Sequence, residues 1–132
     1  MCVVQTTVLM VGADNKSHVI QELPIRLVLL DTGAAAVRFL KQERIDSLIC
    51  KWDLVDIPNG GLLENVIGAN PSMPTVALIE PGNFAQEIKA AQLGVTAIIN
   101  DDIDDDYFRK VLSQLLGIKS MVTIGAADNF TL

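Results

Sequence analysis

Ser47-Leu48-Ile49-Cys50-Lys51-Trp52-Asp53-Leu54-Val55-Asp56-Ile57-Pro58-Asn59-Gly60-Gly61 is the stretch that decides the fold. Its apolar run closes on a charge and passes into a loop punctuated by Pro58 and two glycines. A short apolar run bounded in this way reads as a strand buried on both faces. In an open α/β domain, the loop beyond the carboxyl end of such a strand is where chemistry is usually displayed. Here the strand ends in an ammonium group, Lys51.

Four similar runs lie around it. Together the five are Thr7–Val11, Arg26–Leu30, 47–52, Thr75–Ile79 and 97–99. All are nearly continuous in apolar residues, without the alternation of a half-exposed strand. Helix-like stretches separate them. A short one spans 17–23 and stops at Pro24. Residues 34–42 follow Thr32, a suitable N-cap, and carry Ala36, Val37, Phe39 and Leu40 as one apolar stripe. Residues 62–69 follow Gly60-Gly61. Phe84–Leu93 carries Phe84, Ile88, Ala91 and Leu93 and stops at Gly94, a natural C′ residue. Residues 105–116 carry Phe108, Val111, Leu112, Leu115 and Leu116 and stop at Gly117. Asp104, Asp105 and Asp106 open this last helix, where carboxylates meet the positive end of the helix dipole.

Strict alternation of strand and helix specifies a doubly wound α/β fold. The expectation is a five-stranded parallel sheet in the order 2-1-3-4-5, in a three-layer sandwich with right-handed crossovers. In that order the carboxyl ends of strands one, three, four and five surround one crevice. Gly12-Ala13-Asp14, Lys51-Trp52-Asp53, Ile79-Glu80 and Asn100-Asp101 stand there.

Composition narrows the function classes. The chain of 132 residues suits one domain, and half of its residues are apolar, enough for a real core. No apolar run of about 18 residues exists to span a membrane, and the start Met1-Cys2-Val3-Val4-Gln5 lacks the basic and apolar segments of a signal peptide. The expectation is a cytoplasmic protein with no membrane partner. Cys2 and Cys50 read as reduced thiols, Cys50 as a small buried apolar residue. No Cys/His cluster marks a zinc site. The net charge of −6 argues against direct contact with nucleic acid, which needs a basic patch.

Several phrases, in order, resemble the receiver domain of bacterial response regulators, over roughly residues 7 to 116. Arg44-Ile45-Asp46-Ser47-Leu48-Ile49 is similar to the entry of the third strand. Ile57-Pro58-Asn59-Gly60-Gly61-Leu62-Leu63 resembles the loop after the phosphorylation site. Met73-Pro74-Thr75-Val76-Ala77-Leu78 is similar to the fourth strand, and Ala90-Ala91-Gln92-Leu93-Gly94-Val95-Thr96-Ala97-Ile98-Ile99 to the run into the fifth. The resemblance implies a domain over 1–117, followed at 118–132 by a tail or the start of a connector. It also implies a phosphorelay role.

The family's working residues follow from the chemistry of an acyl phosphate. Two acids after the first strand help bind magnesium, and an Asp ending the third strand accepts the phosphoryl group. A Ser or Thr ends the fourth strand, an aromatic lies in the fifth, and a Lys ends the fifth. On this chain the acid pair falls on Gly12 and Ala13, with Asp14 beside them. The acceptor position falls on Lys51, five residues after Asp46, the hydroxyl on Ile79, the aromatic on Ile98, and the closing Lys on Asp101. An amine cannot form the acyl phosphate, Gly12 and Ala13 offer no side-chain oxygen to a cation, and Ile79 cannot hydrogen-bond a phosphoryl oxygen. The resemblance therefore implies a pseudo-receiver with a degenerate phosphorylation pocket: a non-enzymatic module without cofactor or metal. The reversal of charge suggests that Lys51 pairs with Asp101 or Asp14 and holds the crevice in one state.

Other readings stay open on the residues. Asp53 lies eight residues before Gly61, which suits an acceptor, and makes an active phosphoacceptor domain the alternative. A small anion held near Lys51 is another. The loop from Lys51 to Pro58 is two or three residues longer than usual for the family, and the first helix about a turn short. Trp52 reads as a partly buried cover over the crevice or as a partner anchor, and His18 as a lone solvated helix residue. Phe108 reads as core and Tyr107 as a possible interface residue. Residues 101–106 read as a capped helix start rather than a calcium loop, whose ligand spacing they lack. Gly12-Ala13-Asp14 lacks the further glycines of a nucleotide turn. In the family, the surface built from the fourth helix, fifth strand and fifth helix serves dimers and output partners. Here it would carry residues from 86–92, 95–99 and 107–114, and the resemblance implies a protein partner or output domain, or a homodimer, through it.

Overall fold

The computed structural model describes residues 6–13, 18 and 25–115. Its elements in chain order are β1 (Thr7–Val11), β2 (Arg26–Leu30), α1 (Gly33–Gln42), β3 (Ser47–Lys51), α2 (Gly61–Ala69), β4 (Thr75–Ile79), α3 (Phe84–Leu93), β5 (Ala97–Asn100) and α4 (Asp105–Leu115). The expected helix over 17–23 falls outside the described residues, apart from His18. So does the tail over 118–132.

The strands form one parallel sheet in the order β2-β1-β3-β4-β5, as the alternation of elements predicts. Pairing is continuous across the centre: Leu9 stands opposite Leu48, Leu48 opposite Thr75, and Val76 opposite Ala97. β1 and β4 are buried along their whole length, which explains their unbroken apolar sequences.

Successive side chains go to opposite faces and build two cores. Leu9, Val11, Leu48, Cys50, Ala77 and Ile79 meet α1, α2 and α3 through Ala36, Leu62, Leu63, Val66 and Ala90. Val8, Met10, Ile49, Val76, Leu78 and Ile99 meet α4 through Phe108 and Leu112, one turn apart on its apolar stripe. Phe108 is core, as its place in that stripe implies. Cys50 is a buried free thiol, and burial pushes its pKa up to about 12, so it stays a protonated apolar filler.

The helix ends follow the expected chemistry. Thr32 Oγ1 accepts from Ala35 N at 3.1 Å at the start of α1. Gly94 closes α3 in the left-handed region at φ 87°. Asp104 Oδ2 accepts from Tyr107 N at 3.2 Å at the start of α4. Four boundaries differ from the sequence reading. α1 and α2 each begin one residue earlier, at Gly33 and Gly61, and β5 continues to Asn100, which pairs with Ile79. β3 ends at Lys51 instead of Trp52. Trp52 N still donates to Leu78 O at 2.8 Å, but its carbonyl turns away to accept from Gly60 N at 2.9 Å, and the chain leaves the ladder.

Candidate functional site

The crevice at the carboxyl ends of β1, β3, β4 and β5 is filled by the chain's own β3–α2 loop. Trp52 is 3% exposed and Leu54 5%, and both join the core under α1, α2 and α3. Leu54 lies over Gly12. A Cβ added there would stand 2.6 Å from Leu54 Cδ2, and Gly12 itself has φ 75°. The indole of Trp52 lies against Gly60, which follows Asn59 in the left-handed region at φ 71° and leaves no space for a side chain. Two glycines thus let two large apolar side chains close the crevice. Trp52 is more deeply buried than the partial cover expected of it.

Two carboxylates fasten the loop. Asp53 Oδ1 accepts from Asn59 N at 2.7 Å, tying the loop across its own base. Asp53 Oδ2 accepts from Gln86 Nε2 of α3 at 3.1 Å. Gln86 is buried, and its Oε1 accepts from Glu80 N at 2.9 Å, so the link reaches the end of β4. Asp56 reaches the other way. Its two oxygens accept from Gly33 N at 2.8 Å and Ala34 N at 2.9 Å, adding a bidentate cap to α1 from outside that helix. The Gly33 and Ala34 amides hold the Asp56 carboxyl below its ordinary range.

The remaining expected positions stand around this plug. Lys51 is exposed and Ile79 is buried. Ile98 is half-buried against the sheet core. Ala13 is buried. Asp101 N donates to Ile79 O at 2.8 Å, which brings the ends of β4 and β5 together. Lys51, Asp53, Glu80, Gln86 and Asp101 line one residual hollow of about 10 Å³, hardly the size of one water. Among the described residues the Lys51 ammonium forms no ion pair, so it and Asp101 face the same hollow without joining. Asp14 lies outside the described residues.

Among the described residues the donor set does not fit a magnesium ion. Gly12 and Ala13 bring no side-chain oxygen, Lys51 brings positive charge, and each oxygen of Asp53 already accepts from one N–H donor. Farther along, residues 101–106 act as a helix start: Asp104 caps α4 and Asp106 Oδ1 accepts from Arg109 Nη1 at 2.9 Å. Among the described residues no three acidic, His or Cys side chains gather as a metal site. His18 is exposed, but it is not alone: its Nε2 lies 2.8 Å from Asp105 Oδ2.

Sequence reasoning missed Asp56 and Gln86. Asp56 stands 23 residues from its partner Gly33, and no local pattern announces that pairing. Gln86 had a signal, since Asn83-Phe84-Ala85-Gln86 has the spacing of a capping box. Asn83 Oδ1 accepts from Gln86 N at 3.0 Å as that motif requires, but the Gln86 side chain reaches past the cap to Glu80 and Asp53.

A second feature lies at the sheet edge. Between α3 and α4, along β5, runs a groove of about 380 Å³ lined by Glu87, Ile98, Asp102, Ile103, Tyr107 and Val111, among others. Tyr107 in that lining is 58% exposed, and on α3 Phe84 is 73% exposed and Ile88 57%.

No protein-family model matches the sequence. The transcriptional regulatory protein GlrR of Escherichia coli K12 is 23% identical over 90 residues, covering 68% of this chain and 20% of GlrR. QseF of E. coli O157:H7 matches to the same extent. The chain therefore spans about a fifth of the length of these curated relatives. Among solved structures, the signal receiver domain of an HD domain-containing protein from Pseudomonas fluorescens Pf-5 superposes with a TM-score of 0.77. It is 19% identical, with 89% of this chain and 92% of that one covered. The receiver domain of a putative LuxO repressor protein from Vibrio parahaemolyticus gives 0.75 at 15% identity, covering 94% and 99%. A CheY-like receiver domain from Methanospirillum hungatei JF-1 gives 0.77 at 13%, covering 86% and 95%. Sheet order, crossovers and these likenesses agree: the chain has the fold of the response regulator receiver domains.

Proposed function

We propose that this chain is a receiver-type signalling module that works by protein contact and has lost phosphoryl transfer. The observation that carries the reading is the plugged crevice. Trp52 and Leu54 are buried there, the hollow beside Lys51, Asp53 and Asp101 holds about 10 Å³, and an amine stands at its rim in place of a carboxylate. In-line phosphoryl transfer needs an accessible nucleophile, a cation to neutralise the equatorial oxygens, and donors for the product. The side chains of Gly12, Ala13 and Ile79 supply none of these, and Lys51 puts a cationic donor where the nucleophile should stand. Lys51 and Asp101 instead put opposite charges around one small hollow.

The competing readings have less to stand on. Asp53 as acceptor would have to release Asn59 N and Gln86 Nε2 before attacking a phosphodonor. A small anion at Lys51 would need several times the volume present. The module is then non-enzymatic and binds no metal. Its working surface is the face of α3, β5 and α4, with Phe84, Ile88 and Tyr107 exposed and an open groove along β5, for an output domain, a partner protein or a second copy. Among the described residues no helix is long and apolar enough to cross a membrane, which suits a cytoplasmic module.

The test is incubation with acetyl phosphate and Mg²⁺, read by intact mass. The mass is expected to stay unchanged. A hydrolysable gain of one phosphoryl group overturns the reading.

A further inference from the structure

We infer that Asp53 is a positioning residue for the α3 face. Its carboxylate transmits the set of the plugged crevice to the first turn of α3, in a fixed manner and without a phosphoryl group. The inference rests on the reading above, in which Asp53 is not an acceptor, and it names how the interaction face is held.

The link is a continuous chain of hydrogen bonds. Asn59 N donates to Asp53 Oδ1, Gln86 Nε2 donates to Asp53 Oδ2, and Glu80 N donates to Gln86 Oε1. It joins three separate elements: the β3–α2 loop, the third residue of α3 and the end of β4. Gln86 is 8% exposed, so its amide needs these partners. Its backbone N donates to Asn83 Oδ1, and Glu87 N donates to Asn83 O, so the cap of α3 is built around the same residue. Phe84 and Ile88 stand exposed on this helix, two residues either side of Gln86, and Glu87 beside it lines the groove. Whatever fixes Gln86 fixes where those three side chains stand.

Donor and acceptor polarity makes the chain testable by exchange of roles. In D53N, the new amide side chain has one acceptor. If its oxygen keeps Asn59 N, its NH₂ faces the NH₂ of Gln86; turning either amide strands Asn59 N or Glu80 N. In Q86E, two carboxylates face each other. In D53N/Q86E every bond can form again with reversed polarity. The introduced amide NH₂ donates to one oxygen of the introduced carboxylate, and the other oxygen of that carboxylate accepts from Glu80 N. Net charge is that of the wild type.

The experiment is amide hydrogen exchange by NMR on wild type, both single variants and the double variant, with the acetyl phosphate mass measurement run in parallel. Expected is exchange about five- to tenfold faster at the amides of positions 80, 86 and 87 in D53N and in Q86E, restored in D53N/Q86E, while Ala36 of α1 stays unchanged. Unchanged exchange at these amides in D53N overturns the inference and leaves the proposed function standing. Faster exchange that the double variant does not restore, including global unfolding of both, also overturns it. A phosphoryl gain on wild type that D53N abolishes overturns the proposed function itself.

Discussion

The crevice and the β5 edge of this domain have gone opposite ways. At the strand ends, where a receiver displays its reaction, Trp52 and Leu54 are buried, and the hollow that Lys51, Asp53 and Asp101 line holds about 10 Å³. The β5 edge keeps a groove of about 380 Å³ lined in part by exposed Tyr107, and Phe84 and Ile88 are exposed on α3. Apolar side chains are buried in the first region and left in water in the second. That difference separates what holds the fold from what is free to bind. It also says where substitutions should cost stability and where they should not.

The largest effect is expected at the plug. Trp52→Ala removes a side chain that is 3% exposed and packed against Gly60, and should lower the unfolding free energy by about 3–5 kcal/mol. Urea denaturation followed by circular dichroism measures it. A loss below about 1 kcal/mol would mean that the plug is not part of the core. Gly12→Ala comes next. It places a Cβ against Leu54 at a residue with φ 75°, and about 1–3 kcal/mol is expected from strain and displacement of Leu54 together. Gly12→Ala in a Leu54→Ala background should cost less than in the wild type, because the clash is then gone.

The fold was legible because its signals are local and repeated. Thr7–Val11 and Thr75–Ile79 are apolar nearly throughout, and only a strand covered on both faces needs that. Thr32, Asp104 and Gly94 mark helix ends by their own side chains or lack of one. The site was legible only in its negatives. Gly12, Lys51, Ile79 and Asp101 show by type alone what they cannot do. What fastens the β3–α2 loop was hidden, because Leu54 on Gly12, Asp56 on Gly33 and Asp53 on Gln86 are contacts between distant segments. The sequence marked the loop by its Pro58 and two glycines, but those do not tell which of its residues turn inward.

A smaller effect, confined to acid, is expected at Asp56. The Gly33 and Ala34 amides hold its folded pKa below the unfolded value. Its contribution is therefore complete above the ordinary carboxylate pKa and is lost as pH falls through the lowered folded value. Wild type and Asp56→Asn should differ in urea midpoint at neutral pH and converge as the pH drops below about 4. A difference that stays constant far into the acid range would remove the ionised cap from the account.

The smallest cost in stability, and the sharpest test of the contrast, lies on the open edge. Phe84→Ala, Ile88→Ala and Tyr107→Ala remove side chains that are more than half exposed, and each should change the unfolding free energy by no more than about 0.5 kcal/mol. The proposed role requires that the same changes weaken association. Sedimentation velocity over a concentration series reads self-association of the wild type, and the triple variant should shift toward monomer if a second copy is the occupant. A wild type that stays monomeric assigns the face to a different partner. The stability arm stands apart from that result: a loss as large as at Trp52 would show that Phe84, Ile88 and Tyr107 belong to the core after all. The plug and the groove would then no longer be opposites.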